Sequence, residues 1–326
     1  MTMGTDPSPS RVDCLVRSAT QSSGSGNPSA PRVSIGMPVY DAQAFLPAAI
    51  ESVLAQTFGD FELIICDNAS TDRSFAICQE YAARDNRIRV LRNPENLGAN
   101  PNYRKVAAAA RGELFKWASA NDVIAPDFIE KCVAALDRQP DAVLAYARTV
   151  LFDGDPQTGT EYDDALELRD DDAFTRYRRC VEGLRLNNLI NGLIRSEALR
   201  RTPVMPDYHS SDNVVLAYLA LMGKFVRVPE TAFYRRMDRE SATRLQSKDV
   251  VRLHHYPTDR FESFFQSWQL NLGYLGAVLH NRMPIGRKLG ALKYVAHQFY
   301  WQLPRLMSDL GEAFRFYFLG RRSRRN

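Results

Sequence analysis

Apolar residues alternate along this chain between short unbroken runs and stripes at helical spacing, which is the pattern of strands and packed helices in turn. Val33 to Val39 reads as a strand that ends in Pro38-Val39-Tyr40-Asp41. From Ala42 to Thr57 the apolar positions are Phe45, Leu46, Ile50, Val53 and Leu54, the stripe of a packed helix, with Asp41 as its natural N-cap. Phe61 to Cys66 is a second buried strand. The three elements predict a βαβ unit with parallel pairing and a right-handed crossover. Asp41 and Asp67 then lie side by side at the carboxyl ends of two strands, where open α/β sheets bind ligands.

The alternation continues. Cys66-Asp67-Asn68-Ala69-Ser70-Thr71-Asp72 is a small polar turn before the helical run Phe75 to Tyr81, and Asp72 reads as a helix cap. A strand is predicted at Ile88 to Leu91, a loop through Asn93-Pro94-Glu95-Asn96-Leu97-Gly98, and a helix from Pro101 to Ala110. Glu113 to Ala118 is a strand leading into Ser119-Ala120-Asn121-Asp122, and Pro126 starts a helix that runs to Arg138, where its missing N–H is harmless. Val143 to Leu151 is a strand, and Asp153 to Asp172 an acidic, turn-rich loop expected to move over the site. Tyr208-His209-Ser210-Ser211-Asp212-Asn213 leads into an apolar helix, Val214 to Met222, and Phe225 to Pro229 reads as an edge strand.

Length and composition agree with one large α/β core: 326 residues, 45% of them hydrophobic. The net charge of +4 conceals an asymmetry. Ten of the 42 Lys and Arg residues follow residue 281 against only Asp309 and Glu312, so a mildly acidic body carries a basic tail. Nucleic acid is a poor partner for this distribution, since no nucleic-acid motif accompanies the tail. The five cysteines, at positions 14, 66, 78, 132 and 180, show no CxxC pair and read as thiols in a reducing cytoplasm. No apolar run reaches the ~18 residues of a membrane span. Residues 1–31, rich in Ser, Gly and Pro, lack basic and apolar leader regions and read as a disordered leader, not a signal peptide.

Several blocks in order resemble the family 2 inverting glycosyltransferases: Val33 to Asp41, Gln56-Thr57-Phe58 with Phe61 to Ile65, Asp67 to Asp72, Asn96-Leu97-Gly98, Ala110-Arg111-Gly112-Glu113, Asn121-Asp122, and Pro126-Asp127. The resemblance is strong from Arg32 to Tyr146 and weaker as far as Arg236. It implies a GT-A fold, a Rossmann-like nucleotide-binding sheet with flanking helices. It also implies a nucleotide-sugar site formed by Pro38, Tyr40, Asp41, Asp67, Asn68, Arg104, Asn121, Arg235 and Arg236. Asp67, with Asn68, is the residue it puts on the base of a UDP- or dTDP-sugar, where a carboxylate accepts from a pyrimidine N–H.

Relatives carry a DxD or Asp-Asp element after the fourth strand that binds Mg2+ or Mn2+ through hard oxygen ligands. Here Asn121-Asp122 stands in that place. The amide coordinates without adding charge, which weakens the site for a divalent cation. Asp212 matches the family's catalytic carboxylate, taking the proton of the acceptor hydroxyl as it attacks; its position at a helix start predicts a lowered pKa. The Tyr234-Arg235-Arg236 segment matches one that relatives place near the diphosphate, where guanidinium forks suit phosphate oxygens. An ordinary N-cap at Ser211 or Asp212 and an exposed charged loop at Arg235 are the plain structural alternatives. His209 is placed at the acceptor pocket or in a structural role, and His254-His255 lacks a carboxylate partner in sequence.

Beyond Val250 the chain leaves the resemblance and reads as helical, with Phe261, Phe264, Phe265, Trp268, Leu289, Leu292, Tyr294, Phe299, Tyr300 and Trp301 among Arg287, Lys288 and Lys293, and Phe314 to Phe318 ahead of Arg321 to Arg325. Such a stretch suits the headgroup layer of an anionic membrane; packing on the catalytic domain, or on a second subunit of a homo-oligomer, is the alternative. The expected organisation is a leader at 1–31, a glycosyltransferase domain at 32–245 (donor part 32–150, acceptor part 151–245) and an extension at 246–326. The expected protein transfers a sugar to a glycan or lipid-linked acceptor in envelope polysaccharide synthesis, peripheral on the inner face of the cell membrane. A catalytically silent binder of nucleotide sugar or glycan is the second reading. An NAD-dependent oxidoreductase is disfavoured because no GxGxxG turn follows the first strand.

Overall fold

The computed structural model describes residues 30–163, 166–238 and 265–315, together with Phe318. The leader up to residue 29, the His254-His255 pair, Phe261, Phe264 and the Arg321 to Arg325 run lie outside the described residues.

The first half of the chain alternates strand and helix. Its elements are β1 (Val33–Val39), α1 (Leu46–Leu54), β2 (Phe61–Asp67), α2 (Ser74–Ala82), β3 (Ile88–Arg92), α3 (Ala99–Ala108), β4 (Leu114–Trp117), β5 (Val123–Ile124) and α4 (Phe128–Arg138). There follow β6 (Ala142–Phe152), β7 (Thr160–Tyr162), α5 (Ala173–Gly183), a 3-10 turn at Asn188–Asn191, β8 (Leu193–Arg195) and α6 (Ser196–Arg200). The last are α7 (Ser211–Met222), β9 (Lys224–Arg236), α8 (Gln266–His280), α9 (Ile285–Trp301) and α10 (Leu303–Phe314).

The strands form a single sheet in the order β3-β2-β1-β4-β8-β6-β9-β5, with β7 added to β6. β1 pairs in parallel with β2 from Val33↔Phe61 to Val39↔Asp67 and with β4 from Val33↔Leu114 to Gly36↔Trp117. Pro38 fits a central strand because β4 has ended there: Gly36 still accepts from the Ala118 N–H, and two residues on no ladder partner is lost. The expected βαβ unit and mixed α/β architecture are present.

Alternation along the buried strands divides the core by face. Ile35, Met37, Leu63 and Ile65 join Leu46, Ile50, Phe128 and Leu136 on one side. Ile64, Phe115, Trp117, Leu144 and Tyr146 meet Val106, Val215 and Leu219 on the other. Gly36 allows α3 to lie directly on β1, since a Cβ there would come within 2.8 Å of Val106. A third cluster joins Tyr177, Val214 and Ala217 to Ala277, Val278, Ala291 and Val295, so α8 and α9 dock on α5 and α7.

Four expectations are corrected. The helix foreseen at 42–57 is shorter, with Phe45 in the N-cap position and no side-chain cap, because Asp41 has a left-handed φ of 43° and bonds elsewhere. Pro126 precedes its helix, whose N-cap position is Asp127. The strand foreseen at Phe225 to Pro229 is longer: β9 runs on to Arg236 along β6, and its far end pairs with β5 at Phe233 and Tyr234. The acidic segment after β6 is partly pinned, with Glu161 paired to Val150 and Leu168 bridged to Phe225.

Candidate active site

The β1–α1 and β2–α2 loops are laced together by short polar side chains. Asp41 N–H donates to Ser70 Oγ (3.0 Å), Ala42 N–H to Ser74 Oγ (2.8 Å) and Gln43 N–H to Asp72 Oδ2 (3.0 Å), while Thr71 N–H donates to Asp41 Oδ1 at 2.7 Å. Asp72 also accepts from Ser74 N–H at 2.8 Å, but the N-cap position of α2 is Arg73 and no side chain caps that helix, so the cap foreseen at Asp72 is corrected. These bonds fix the backbone on which Asp67 sits, with Pro38 buried behind it and Tyr40 exposed at the rim.

Asp67 is fully buried. Its Oδ2 meets the Arg92 guanidinium and the Ser70 N–H, each at 3.2 Å, while its Oδ1 has no partner. Arg92 in turn lies over the Phe75 ring, 4.1 Å from its centroid. An acceptor oxygen left bare in a dry setting costs free energy unless a ligand meets it. Asn68 is different. Its amide donates to Asn96 Oδ1 (2.8 Å) and Gly98 O (3.1 Å), and its oxygen accepts from Asn93 (2.7 Å) and Leu97 N–H (3.1 Å). All four hydrogen-bonding positions of that side chain are spent on holding the 93–98 loop beside Asp67.

A second group forms where β4 ends. Ser119, Asp122, Arg235, Asp212 and Tyr103 share one electrostatic environment: Asp122, Asp212 and Arg235 all act on the Tyr103 phenol, and the Ser119 hydroxyl favours the charged forms of both Tyr103 and Asp122. Burial raises the Asp122 carboxyl against the Arg236 N–H, which donates to Oδ1 at 2.8 Å, and against the Arg235 charge. Burial likewise raises Asp212, against the Asn213 N–H (3.0 Å to Oδ1), His209, the Asn187 amide and Arg235. The lowered pKa expected from the α7 N-terminus is therefore corrected: loss of solvent outweighs the helix end. Asp212 occupies the second turn-forming position of α7 without capping it, since Ser210 is the N-cap residue and makes no side-chain cap bond. His209 is lowered by its own burial.

Strand alternation separates the two arginines. Arg235 faces the two carboxylates and donates to Leu186 O and to Asn188 Oδ1 at 2.5 Å. Arg236 lies buried between the rings of Phe45 and Phe152, 4.6 Å from each centroid, and donates to Asn121 O (3.0 Å) and Asp238 (2.7 Å). Arg104 forms a two-pronged pair with Asp207 (2.6 and 3.1 Å) and bonds Met205 O (2.6 Å), so it anchors the loop that leads to α7. Asn121 is half-buried beside Asp122. Among the described residues no group of three or more His, Cys, Asp or Glu side chains is placed to hold a metal ion.

The sequence reading passed over Tyr103, Asn187 and Asn188. Tyr103 sits in a helix whose periodicity signals only packing, and the two asparagines lie on a turn with no motif. Only the fold brings them to Asp212 and Arg235.

Residues 34–201 match the protein family described as glycosyl transferase family 2. EpsH of Bacillus subtilis (strain 168), named as a glycosyltransferase, is 30% identical over 166 residues, which cover 51% of this chain and 44% of EpsH. The chain thus spans less than half the length of that relative. Among solved structures, Staphylococcus aureus TarS 1-349 in complex with UDP-GlcNAc superposes with a TM-score of 0.61 at 14% identity, covering 87% of this chain and 81% of that one. The mannosyltransferase PcManGT from Pyrobaculum calidifontis, in complex with GDP-Man and Mn2+, gives 0.54 at 16% identity over 87% of this chain and 75% of its own. At these identities the likeness is one of fold, and it is the GT-A fold.

Proposed function

Because the chain belongs to glycosyl transferase family 2, we propose that it is an inverting transferase moving a sugar from a nucleotide diphosphate-sugar to a hydroxyl of a glycan or lipid-linked acceptor. The observation that carries this reading is the pair of carboxylates, Asp122 and Asp212, both raised by burial and both facing Arg235 at the carboxyl end of the sheet. One carboxylate serves the leaving group and the other the nucleophile.

Asp67, with its bare buried oxygen, accepts from the pyrimidine N–H of a UDP- or dTDP-donor. TarS holds UDP-GlcNAc and PcManGT GDP-Man on this fold, which supports a nucleotide-sugar donor and leaves the choice of base to Asp67. Arg235 lies against the diphosphate. As the acceptor oxygen attacks the anomeric carbon, the bond to the diphosphate breaks on the opposite side and the hydroxyl proton passes to Asp212. The raised pKa of Asp212 makes it a stronger base than an ordinary aspartate.

The residues present suit a hard cation bound together with the substrate: the Asp122 carboxylate and the neutral Asn121 oxygen would hold it. Such a cation, Mg2+ or Mn2+, neutralises charge on the departing diphosphate. Asn68, Arg104 and Arg236 hold the loops around the donor without reaching it. The same reading assigns residues 32–150 to the donor, 151–245 to the acceptor and 246–326 to a helical extension, and places the work in envelope or surface polysaccharide synthesis.

The test is release of free nucleotide diphosphate from a panel of UDP-, dTDP- and GDP-sugars with lipid-linked and glycan acceptors, with Mn2+ or with chelator. Release from one donor, inverted product and loss with Asp212→Asn support the reading. One observation favours a silent binder instead: Asp122 Oδ1 already accepts from the Arg236 N–H. Donor binding without release from any donor and acceptor pair establishes that second reading.

A further inference from the structure

The helical end of the chain has an unusual outer surface. α10 buries one side against α8: Leu306 and Ala313 are covered, Trp268 Nε1–H donates to Leu306 O at 3.0 Å, and Asp309 accepts from Ser267 N–H at 2.8 Å. A second apolar side faces out. Leu303, Met307, Leu310 and Phe314 are 40–57% exposed, and at 100° per residue they fall within an arc of about 60° on α10. Trp301, 78% exposed, precedes the stripe, and Phe318 extends it by stacking on Phe314 at 4.8 Å. Several aromatic residues that the sequence offers for such a surface are instead turned inward, Trp268, Tyr294 and Phe299 among them.

We propose that this stripe is an interfacial docking face for an anionic lipid bilayer, on which α10 lies parallel to the surface. Three observations choose a membrane over a second copy of the chain. The stripe is one side of a helix about 18 Å long and ~10 Å wide, roughly 200 Å², far less than the ~800 Å² per partner that a standard protein interface buries. The segment that carries the stripe is strongly basic, with ten Lys and Arg after residue 281 against Asp309 and Glu312, so two copies repel each other while an anionic surface attracts it. Tyr300 and Trp301 add amphipathic rings of the kind that settle at a headgroup boundary. No helix among the described residues is long and apolar enough to cross a membrane, so the contact is a surface one.

The inference is independent of the donor chemistry. The full chain is floated with vesicles of phosphatidylcholine alone or with phosphatidylglycerol added, beside a Met307→Asp/Leu310→Asp variant and an Arg305→Glu/Arg315→Glu variant, with thermal melts to confirm folding. The expected result is flotation with the anionic vesicles only, weakened by salt and by either variant about tenfold or more. Absence of flotation, or flotation unchanged in the apolar variant, overturns the proposal. So does sedimentation of the parent as a dimer that Met307→Asp/Leu310→Asp dissolves while neither protein binds vesicles, which assigns the stripe to self-association.

Discussion

A base that takes a proton from a sugar hydroxyl works best when its pKa approaches the working pH, and burial moves Asp212 in that direction. Because only the ionised form accepts a proton, kcat/KM should rise with pH through the raised pKa, with its acidic limb above the usual carboxylate range. Asp212→Asn should cut kcat by about 100-fold or more and remove that limb, while calorimetric donor affinity changes little. Asn121→Asp should tighten Mn2+ binding, measured by titration in the presence of nucleotide diphosphate, because it adds a charged ligand. Lys116 offers a residue-scale test of the fold. It is buried on β4 against Phe128, 4.5 Å from the ring centroid, and donates to Asn191 O; burial lowers it from 10.5 to about 7. Between these values the unfolded chain binds the extra proton and the folded one does not, so stability rises with pH across that window. Lys116→Met should abolish this rise, so that urea midpoints of parent and variant differ most in the variant's favour below pH 7 and converge toward pH 10.

At the scale of elements, β9 turns a sequence pair into two separate roles. Arg235→Ala should leave folding intact and lower turnover. Arg236→Ala opens a buried site between two rings and leaves Asp238 with the Gly154 N–H but no cation among the described residues, and should cost roughly 3–5 kcal/mol in chemical denaturation. The opposite pattern would mean that the site lies on the other face of the strand. β1, β2 and α4 were legible because their apolar periodicity is strong and their ends are marked by Asp, Asn and Pro. The start of α1 was misplaced because Asp41, a good N-cap by type, bonds to Thr71 across thirty residues instead. No local pattern carries that competition. β5 and β8 are too short, at two and three residues, to leave any periodicity.

The whole molecule couples the site to the helical end. α8 lies on α7, whose first turn holds Asp212, and Gly273 allows the approach: a Cβ there would fall 2.6 Å from Tyr208 Oη and 2.7 Å from Val214. Gly273→Ala should lower stability by about 1–3 kcal/mol and depress turnover with it, read as a joint fall in melting temperature and kcat. If turnover holds while stability falls, the C-terminal helices support α7 without tuning Asp212. The same packing explains why the basic, aromatic sequence of this end divides into an inward set, including Trp268 and Phe299, and an outward stripe on α10.

The sequence by itself determined the parallel βαβ half of the sheet, the carboxylates at its carboxyl edge and the family, because each rests on local runs whose spacing survives without the rest of the chain. Tertiary structure decided which of the singled-out residues meet. It gathered Tyr103, Ser119, Asp122, Asp212 and Arg235 from four separate segments, spent Asn68, Arg104 and Arg236 on bracing, and raised Asp212 where a helix N-terminus alone would lower it. The physical reason is that desolvation and hydrogen-bond saturation depend on everything that surrounds a side chain, and most of those neighbours lie far away in the sequence.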